Sequence, residues 1–366
     1  MRFENKKTIY INGRFLTQPI TGTQRYALEL LSHIDILLEE EKYAHLDLVC
    51  LVPREPFTRP KWKNIKIIPV GINRKNLWEQ IDLAFFARGH LLFSPVNTGP
   101  IFHRRQIVTI HDASVFAVPG AYSLGFRLKY QLIINLVGKS ALLALTVSQF
   151  SKREIAKYLK VPYDRFYVIS HGGDHLDDVV SDRQVLGRNK IEKNGYFLTV
   201  ASNSPHKNFS SVIRAAQKDR IKGVRFIAVG GTFSRIFQAA KSVNMPENVQ
   251  LLGYVNDCEL KALYENAVGL IFPSLYEGFG LPVLEAMQAG CPVLCANSAA
   301  LMEVGGDAVL YFDPLNPDDL ASLIDRFLAD QSLRKNMVAR GLEQSAKFRW
   351  EVTARNTLDK IIGLLQ

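Results

Sequence analysis

Glu277 and Glu285 bracket seven residues, GFGLPVL, which carry two glycines one residue apart and continue into Pro282. Gly278 and Gly280 let a backbone approach a ligand closely and leave N–H groups pointing outward. Pro282 has the fixed φ that suits the first turn of a helix. A helix start behind a glycine-rich turn is an anion seat, and a diphosphate is its natural occupant. Glu285 falls about one turn inside that helix, placed to accept hydrogen bonds from a ribose diol. Glu277, before the turn, is placed to do the same for the hydroxyls of a sugar. A single Glu near a helix start often does no more than complement the dipole. Two carboxylates grouped with two glycines and a proline point to a ligand.

Three other loops carry residues of the right chemistry. Pro19 to Tyr26, PITGTQRY, sets Gly22 just before a helix that Thr23 can cap, a second N–H-rich start. A plain turn is an equally good reading there, and no GxGxxG accompanies it. Thr109 to Ala113, TIHDA, puts His111 and Asp112 at the end of an apolar strand, where a strand-end loop favours function over a core or capping role. Ala201 to Asn208, ASNSPHKN, holds Lys207, a point charge suited to phosphate, with Asn203, Ser204 and Asn208 as short donors. The chain has no Asp-x-Asp, no His/Cys cluster at metal-ligand spacing, no GxSxG and no P-loop. Charge for a diphosphate must then come from side chains and helix ends. No cofactor and no tightly bound metal is expected.

These loops need strands to end on and helices to start. Strand-like runs occur at Thr8–Ile11, Leu46–Val52, Ile65–Val70, Leu91–Ser94, Gln106–Ile110, Leu142–Val147 and Phe166–Ile169. The series restarts at Tyr196–Val200, Arg225–Val229, Val249–Leu252, Gly269–Pro273, Pro292–Ala296 and Val309–Phe312. Amphipathic stretches alternate with them, so the fold class is α/β with parallel sheets covered on both faces. Two series imply two doubly wound, Rossmann-like domains, 1–172 and 195–349, joined by a Gly- and charge-rich linker at 173–194. The last helix, 350–366, is expected to pack back on the first domain. Ligands then belong at the carboxyl ends of the strands, in the cleft where two such domains face one another.

Composition agrees with a globular enzyme: 366 residues, 47% hydrophobic and 22% charged. The net charge of +10 is one-sided. Residues 1–172 carry 24 Lys+Arg against 13 Asp+Glu, whereas residues 173–366 carry 21 against 22. A basic first half suits an anionic membrane surface or a polyanion. The basic-aromatic stretches Arg59–Lys63 and Tyr122–Tyr130 support the membrane reading, and an ordinary solvated face is the alternative. A neutral second half and the lack of a nucleic-acid module argue against nucleic acid. The most apolar stretch, Gln131–Phe150, contains Gly138 and Lys139 and is expected to split at Gly138 into helix and strand, as buried core rather than a spanning helix. The first residues, MRFENKKTIYING, lack a signal-peptide h-region, so no signal peptide is expected, and the four cysteines fit reduced core thiols in a cytoplasm.

Taken in order, the four loops resemble the retaining glycosyltransferases of family 4, which have the two-domain GT-B fold. The likeness is most specific at EGFGLPVLEAMQAGCPV and extends through VTIHDAS, LTVSQFSKREI, ASNSPHKNFSSVIRAA and LLGYVNDCELKALYENAVGLIFPS. ITGTQRYALELL and HGGDHL resemble bacterial enzymes that build surface polysaccharides. The resemblance implies a nucleotide diphosphate sugar as donor, with GDP-mannose favoured over UDP- or dTDP-hexoses. It implies a glycan or polyprenyl-diphosphate-linked acceptor, and a cytoplasmic enzyme peripheral on the inner membrane face. A sugar-nucleotide epimerase on the same fold is the rival reading.

The resemblance also implies roles. Glu277 contacts the donor sugar, Glu285 holds the ribose, and Lys207 neutralises the leaving diphosphate. Gly22 opens the loop that packs on the diphosphate, and His111 lies near the transferred sugar. The backbone from Gly278 through Phe279 and Gly280 to Leu281 binds sugar and phosphate oxygens. Tyr254 and Val255 lie against the base, and Ser202 and Asn203 border the diphosphate. Many relatives carry an Arg five residues before the lysine. Here that position is Ser202, so His206 or Arg25 is the expected substitute, if any.

Overall fold

The computed structural model describes residues 6–54, 60–200, 204–231 and 245–365. The chain divides into two compact units, Met1–Gly172 with Arg349–Gln366, and Gly173–Phe348. The first unit carries 27 Lys+Arg against 15 Asp+Glu and the second 18 against 20.

In the first unit, β1 (Lys7–Asn12), β2 (Leu46–Val52), β3 (Lys66–Pro69), β4 (Leu91–Ser94), β5 (Gln106–Thr109), β6 (Leu143–Thr146) and β7 (Phe166–Val168) form one sheet. Their order is β3-β2-β1-β4-β5-β6-β7, and every pairing is parallel. Strands such as LDLVCLV are apolar on both faces because helices cover both. The order reverses between β1 and β4, which brings the loops after these strands to a switch point. The helix α1 (Gly22–Leu37) follows β1. Helix α2 (Leu124–Ser140) follows β5, and α3 (Gln149–Leu159) follows β6.

Helix α2 departs from the expectation for Gln131–Phe150. It runs through Gly138 and Lys139 to Ser140, and the strand begins only at Leu143. A Cβ on Gly138 would lie 2.6 Å from Leu159 Cδ2, so the glycine marks close packing of α2 on α3 rather than a break.

In the second unit, β8 (Tyr196–Val200), β9 (Arg225–Val229), β10 (Val249–Gly253), β11 (Gly269–Phe272), β12 (Val293–Ala296) and β13 (Leu310–Phe312) pair in the order β10-β9-β8-β11-β12-β13, again all parallel. Helices α4 (Phe209–Ala216), α5 (Asp257–Asn266), α6 (Leu281–Gln288), α7 (Pro317–Ala329) and α8 (Gln331–Ser345) accompany it. Phe209, Val212 and Ile213 of α4 pack with Phe197, Phe226, Ile271 and Phe327 in the core. The switch point falls between β8 and β11. The stretch 173–194 is part of this unit, tied down by Lys261 Nζ donating to Leu176 O (2.7 Å) and Asp182 N donating to Cys258 O (2.9 Å).

The last helix, α9 (Trp350–Gly363), returns to the first unit and packs along α1. Thr353 Oγ1 donates to Ser170 O (2.8 Å), Arg355 forks onto Glu40 (2.8 and 2.9 Å), and the Tyr43 hydroxyl donates to Asp359 (2.9 Å).

Candidate active site

The second unit's switch point brings its two expected charges together. Lys207 Nζ lies 2.7 Å from Glu277 Oε1, with both side chains mostly covered, and sits 5.9 Å from the Phe272 ring centroid. Leu275 N donates to His206 O (2.7 Å) and joins the two loops. Asn208, named from the sequence as a ligand donor, is a lock instead. It is buried at φ +51°, and its Nδ2 donates to Pro273 O (3.2 Å) and Pro314 O (2.8 Å). Its donors are satisfied within the fold, which fixes Lys207 beside Glu277.

Gly280 is the N-cap of α6, with Pro282 in the first turn and no side chain capping the helix. Gly280 stands at φ +113°, a conformation that side chains other than glycine's rarely adopt. A Cβ there would also lie 2.6 Å from Leu301 Cδ2. Gly280→Val is therefore expected to cost about 1–3 kcal/mol in chemical denaturation, as well as closing the seat. Phe279 and Leu281 are buried, and Phe279 meets Phe348 edge-on at 5.8 Å between centroids.

Glu285 is buried in α6 and held at both oxygens. His175 Nε2 lies 3.1 Å from Oε1, and the Tyr264 hydroxyl donates to Oε2 at 3.0 Å. Burial first, then the neighbouring Glu285 charge, pushes the Tyr264 phenol well above its ordinary range, so it stays a donor. Each carboxylate oxygen has lone-pair capacity for a further hydrogen bond. Glu285 is thus oriented rather than consumed. Sequence reading missed both partners; the only signal was His175 in HGGDHL, 110 positions before Glu285.

In the first unit, His111 follows β5 and is 3% exposed. Its N–H donates to Asn97 Oδ1 (2.8 Å), its carbonyl accepts from Ser151 Oγ (2.8 Å), and its Nε2 lies 3.0 Å from Pro95 O. Only a protonated Nε2 can donate to that carbonyl, which leaves Nδ1 as an acceptor in the neutral ring. Burial drives the imidazole down to about 4, against weaker support from Pro95 and Asp112. Tyr26 packs edge-on against it at 4.6 Å between centroids, and His171 lies 5.6 Å away with Trp350 stacked beyond. Asp112 accepts from Ser114 N (2.8 Å), a local turn bond.

Gly22 is the first residue of α1, and a Cβ there would meet nothing within 4 Å. Thr23 does not cap the helix. The N-cap position belongs to Thr21, without a side-chain cap bond, and Thr23 Oγ1 donates to Gln24 Oε1 (3.2 Å). Arg25, one suggested substitute for the missing arginine, pairs with Glu29 at 3.4 Å. Beside the same switch point lies a buried network absent from the sequence reading. Arg14 Nε lies 3.2 Å from Glu79 Oε1, which also accepts from Asn12 Nδ2 (2.8 Å) and Thr98 Oγ1 (2.9 Å). It ties the loops after β1 and β4 to the π-helical turn Trp78–Leu83.

Of the remaining expected positions, Tyr254 is 78% exposed after Gly253, which stands at φ +77°, and Val255 is half-buried. Ser202 and Asn203 lie outside the described residues. Cys50, Cys291 and Cys295 are free and buried, and burial pushes the Cys291 thiol up to about 12. They are inert core groups.

The sequence matches glycosyl transferases group 1 over residues 182–344, a span holding Lys207, Glu277 and Glu285. It is also 31% identical to O-antigen chain mannosyltransferase B of Escherichia coli, over 93% of this chain and 96% of that protein. The chain is a group 1 glycosyltransferase. A second relative of this glycosyltransferase, O-antigen chain mannosyltransferase RfbU of Salmonella typhimurium, is 30% identical over 64% of the chain and 63% of that protein. Among solved structures, WaaG, a glycosyltransferase involved in lipopolysaccharide biosynthesis, superposes with a TM-score of 0.74 at 16% identity, covering 97% of this chain and all of that one. Two doubly wound parallel sheets of this order are the GT-B fold, as the family 4 resemblance implied.

His111 binds its proton less readily folded than unfolded, so between pH 6.5 and about 4 the unfolded chain holds more protons. Stability should fall as pH drops through that window, by on the order of 3 kcal/mol from this group, and stop falling from it below about 4. Denaturation midpoints compared with His111→Gln, which lacks the proton, check the slope.

Proposed function

We propose that this glycosyltransferase moves mannose from GDP-mannose to a hydroxyl of a lipid-linked glycan, with retention of anomeric configuration and without a resident metal. The observation that carries the reading is the Lys207–Glu277 pair beside the Gly280 helix start, with Glu285 fixed one turn further on. A donor diphosphate placed at the α6 N-terminus draws Lys207 to itself, and Glu277 is freed to accept hydrogen bonds from the sugar. As the bond from C1 to the phosphate oxygen breaks, negative charge grows on the diphosphate. Lys207 and the helix start lie where that charge appears. The acceptor hydroxyl forms its new bond to C1 on the face the phosphate leaves, and its proton passes to the departing phosphate oxygen. Neutral His111, with Nδ1 as acceptor, serves a hydroxyl of the reacting sugar.

Mannose is favoured by the relatives, named as O-antigen chain mannosyltransferases. The same names support a growing surface polysaccharide as acceptor. The excess of basic residues in the first unit supports a place at the inner face of an anionic membrane. Among the described residues, no helix is long and apolar enough to cross one.

A thermal-shift series with GDP, UDP and dTDP tests the donor half. Occupancy at about 100 times Kd adds roughly 2.7 kcal/mol, which is readily seen as a raised midpoint. GDP alone is expected to stabilise; equal shifts with all three, or a shift with UDP only, would sink the GDP-mannose reading.

A further inference from the structure

Helix α2 has two apolar faces, and the fold uses only one. Ile133, Ile134 and Val137 are buried against Val108, Ile110, Ile155 and Phe166. On the other side Leu124, Leu128, Leu132 and Leu136 are 61%, 55%, 57% and 39% exposed. A spacing of four puts them in one row along the helix, about 18 Å long at 1.5 Å per residue. Leu142, just past the helix end, is also exposed, at 48%. On the core side Tyr122, Phe126 and Tyr130 stack in series at 5.4 and 4.1 Å between centroids, with Tyr122 and Tyr130 packed on the buried cluster. Leucines scattered singly on a surface are ordinary; an aligned row of four is not.

The charge around the row selects its partner. From Ala113 to Arg153 the chain contains five Lys or Arg and no Asp or Glu. Lys129 and Lys139 are exposed on α2 itself, with the Lys129 ammonium 5.3 Å from the Tyr130 ring centroid. Lys stems lie along apolar surface while their heads reach outward, the habit of side chains at a lipid interface. Two copies of this face would oppose cation to cation. Leucines for acyl chains, flanked on the same helix by Lys129 and Lys139 and with no acidic residue on the helix, match an anionic bilayer.

We propose that the Leu124–Leu136 row of α2 is the surface that docks this enzyme on anionic membrane, lying in the interface plane without crossing it. The proposal deepens the membrane part of the function given above and rests on it, but its test needs no sugar transfer. The full chain is sedimented with phosphatidylcholine vesicles and with vesicles containing phosphatidylglycerol. Binding is expected only to the anionic set and should weaken with added salt. The double variant Leu128→Gln/Leu132→Gln, altered only at exposed positions, should lose about tenfold or more in partitioning, since each leucine forfeits burial in the interface. Its melting temperature and its transfer to a water-soluble acceptor should match the parent.

Equal binding by parent and double variant would overturn the assignment, as would equal binding to both vesicle types. So would a parent that is dimeric in solution, becomes monomeric on the leucine changes, and ignores vesicles. A chain that binds anionic vesicles through these leucines yet transfers no mannose would support the surface while refuting the function.

Discussion

Glu277→Ala is expected to lower kcat by about 10²–10³-fold while the enzyme still folds and still binds nucleotide. The loss corresponds to about 2.7–4 kcal/mol of transition-state stabilisation. The reason lies in its pairing. Glu277 is mostly covered and 2.7 Å from Lys207, so it fixes the ammonium at the helix start before any donor arrives. In the proposed mechanism, once the donor is seated, the carboxylate turns to the sugar as the glycosidic bond weakens. An alanine loses both roles. Glu277→Gln keeps the shape and the sugar hydrogen bond but not the charge, so it should lie between parent and alanine. Because the two side chains touch, Lys207→Met combined with Glu277→Ala should lose less than the two single losses together. Steady-state kinetics with circular dichroism as the folding control decides it; unchanged kcat in Glu277→Ala would remove the residue from the chemistry.

Glu285→Ala should act on binding instead. The ribose diol is expected to donate to this carboxylate, and hydrogen bonds to a charged group contribute roughly 1.5–3 kcal/mol each. Nucleotide Kd and donor KM should therefore rise about 10–100-fold, with kcat reduced far less. The change also strips the acceptor from the buried Tyr264 hydroxyl and the buried His175 ring, so stability should fall by about 1–3 kcal/mol. His175→Ala leaves the carboxylate in place but loosens it, and should raise KM by a smaller factor at nearly constant kcat. Calorimetric titration with GDP separates the two effects. A Glu285→Ala enzyme that binds GDP as the parent does, whatever its stability, would place the ribose elsewhere.

Much of this was legible in the sequence, for local reasons. Strands such as LDLVCLV and YFLTV are short apolar runs because parallel strands are buried on both faces, and their positions could be read within a residue or two. The loop from Pro273 to Glu285 was legible because glycine, proline and carboxylate each have a local physical meaning there. What escaped was set by distance along the chain. His175 and Tyr264 reach Glu285 across 110 and 21 positions, and Arg14 reaches Glu79 across 65. Asn208 looked like a ligand donor because a single sequence does not reveal that two carbonyls already take its amide. Gly138 looked like a break because glycine punctuates helices on average, whereas here its missing side chain admits Leu159.

The proposed retaining transfer is tested most directly by the product. With GDP-mannose and a mannose-terminated oligosaccharide as acceptor, proton NMR of the new anomeric centre reports its configuration. The Lys207–Glu277–Gly280 arrangement, acting by departure and attack on one face, predicts an α-linked mannoside from the α-linked donor. A β-linked product, or donor consumed with no mannose on the acceptor, would contradict it.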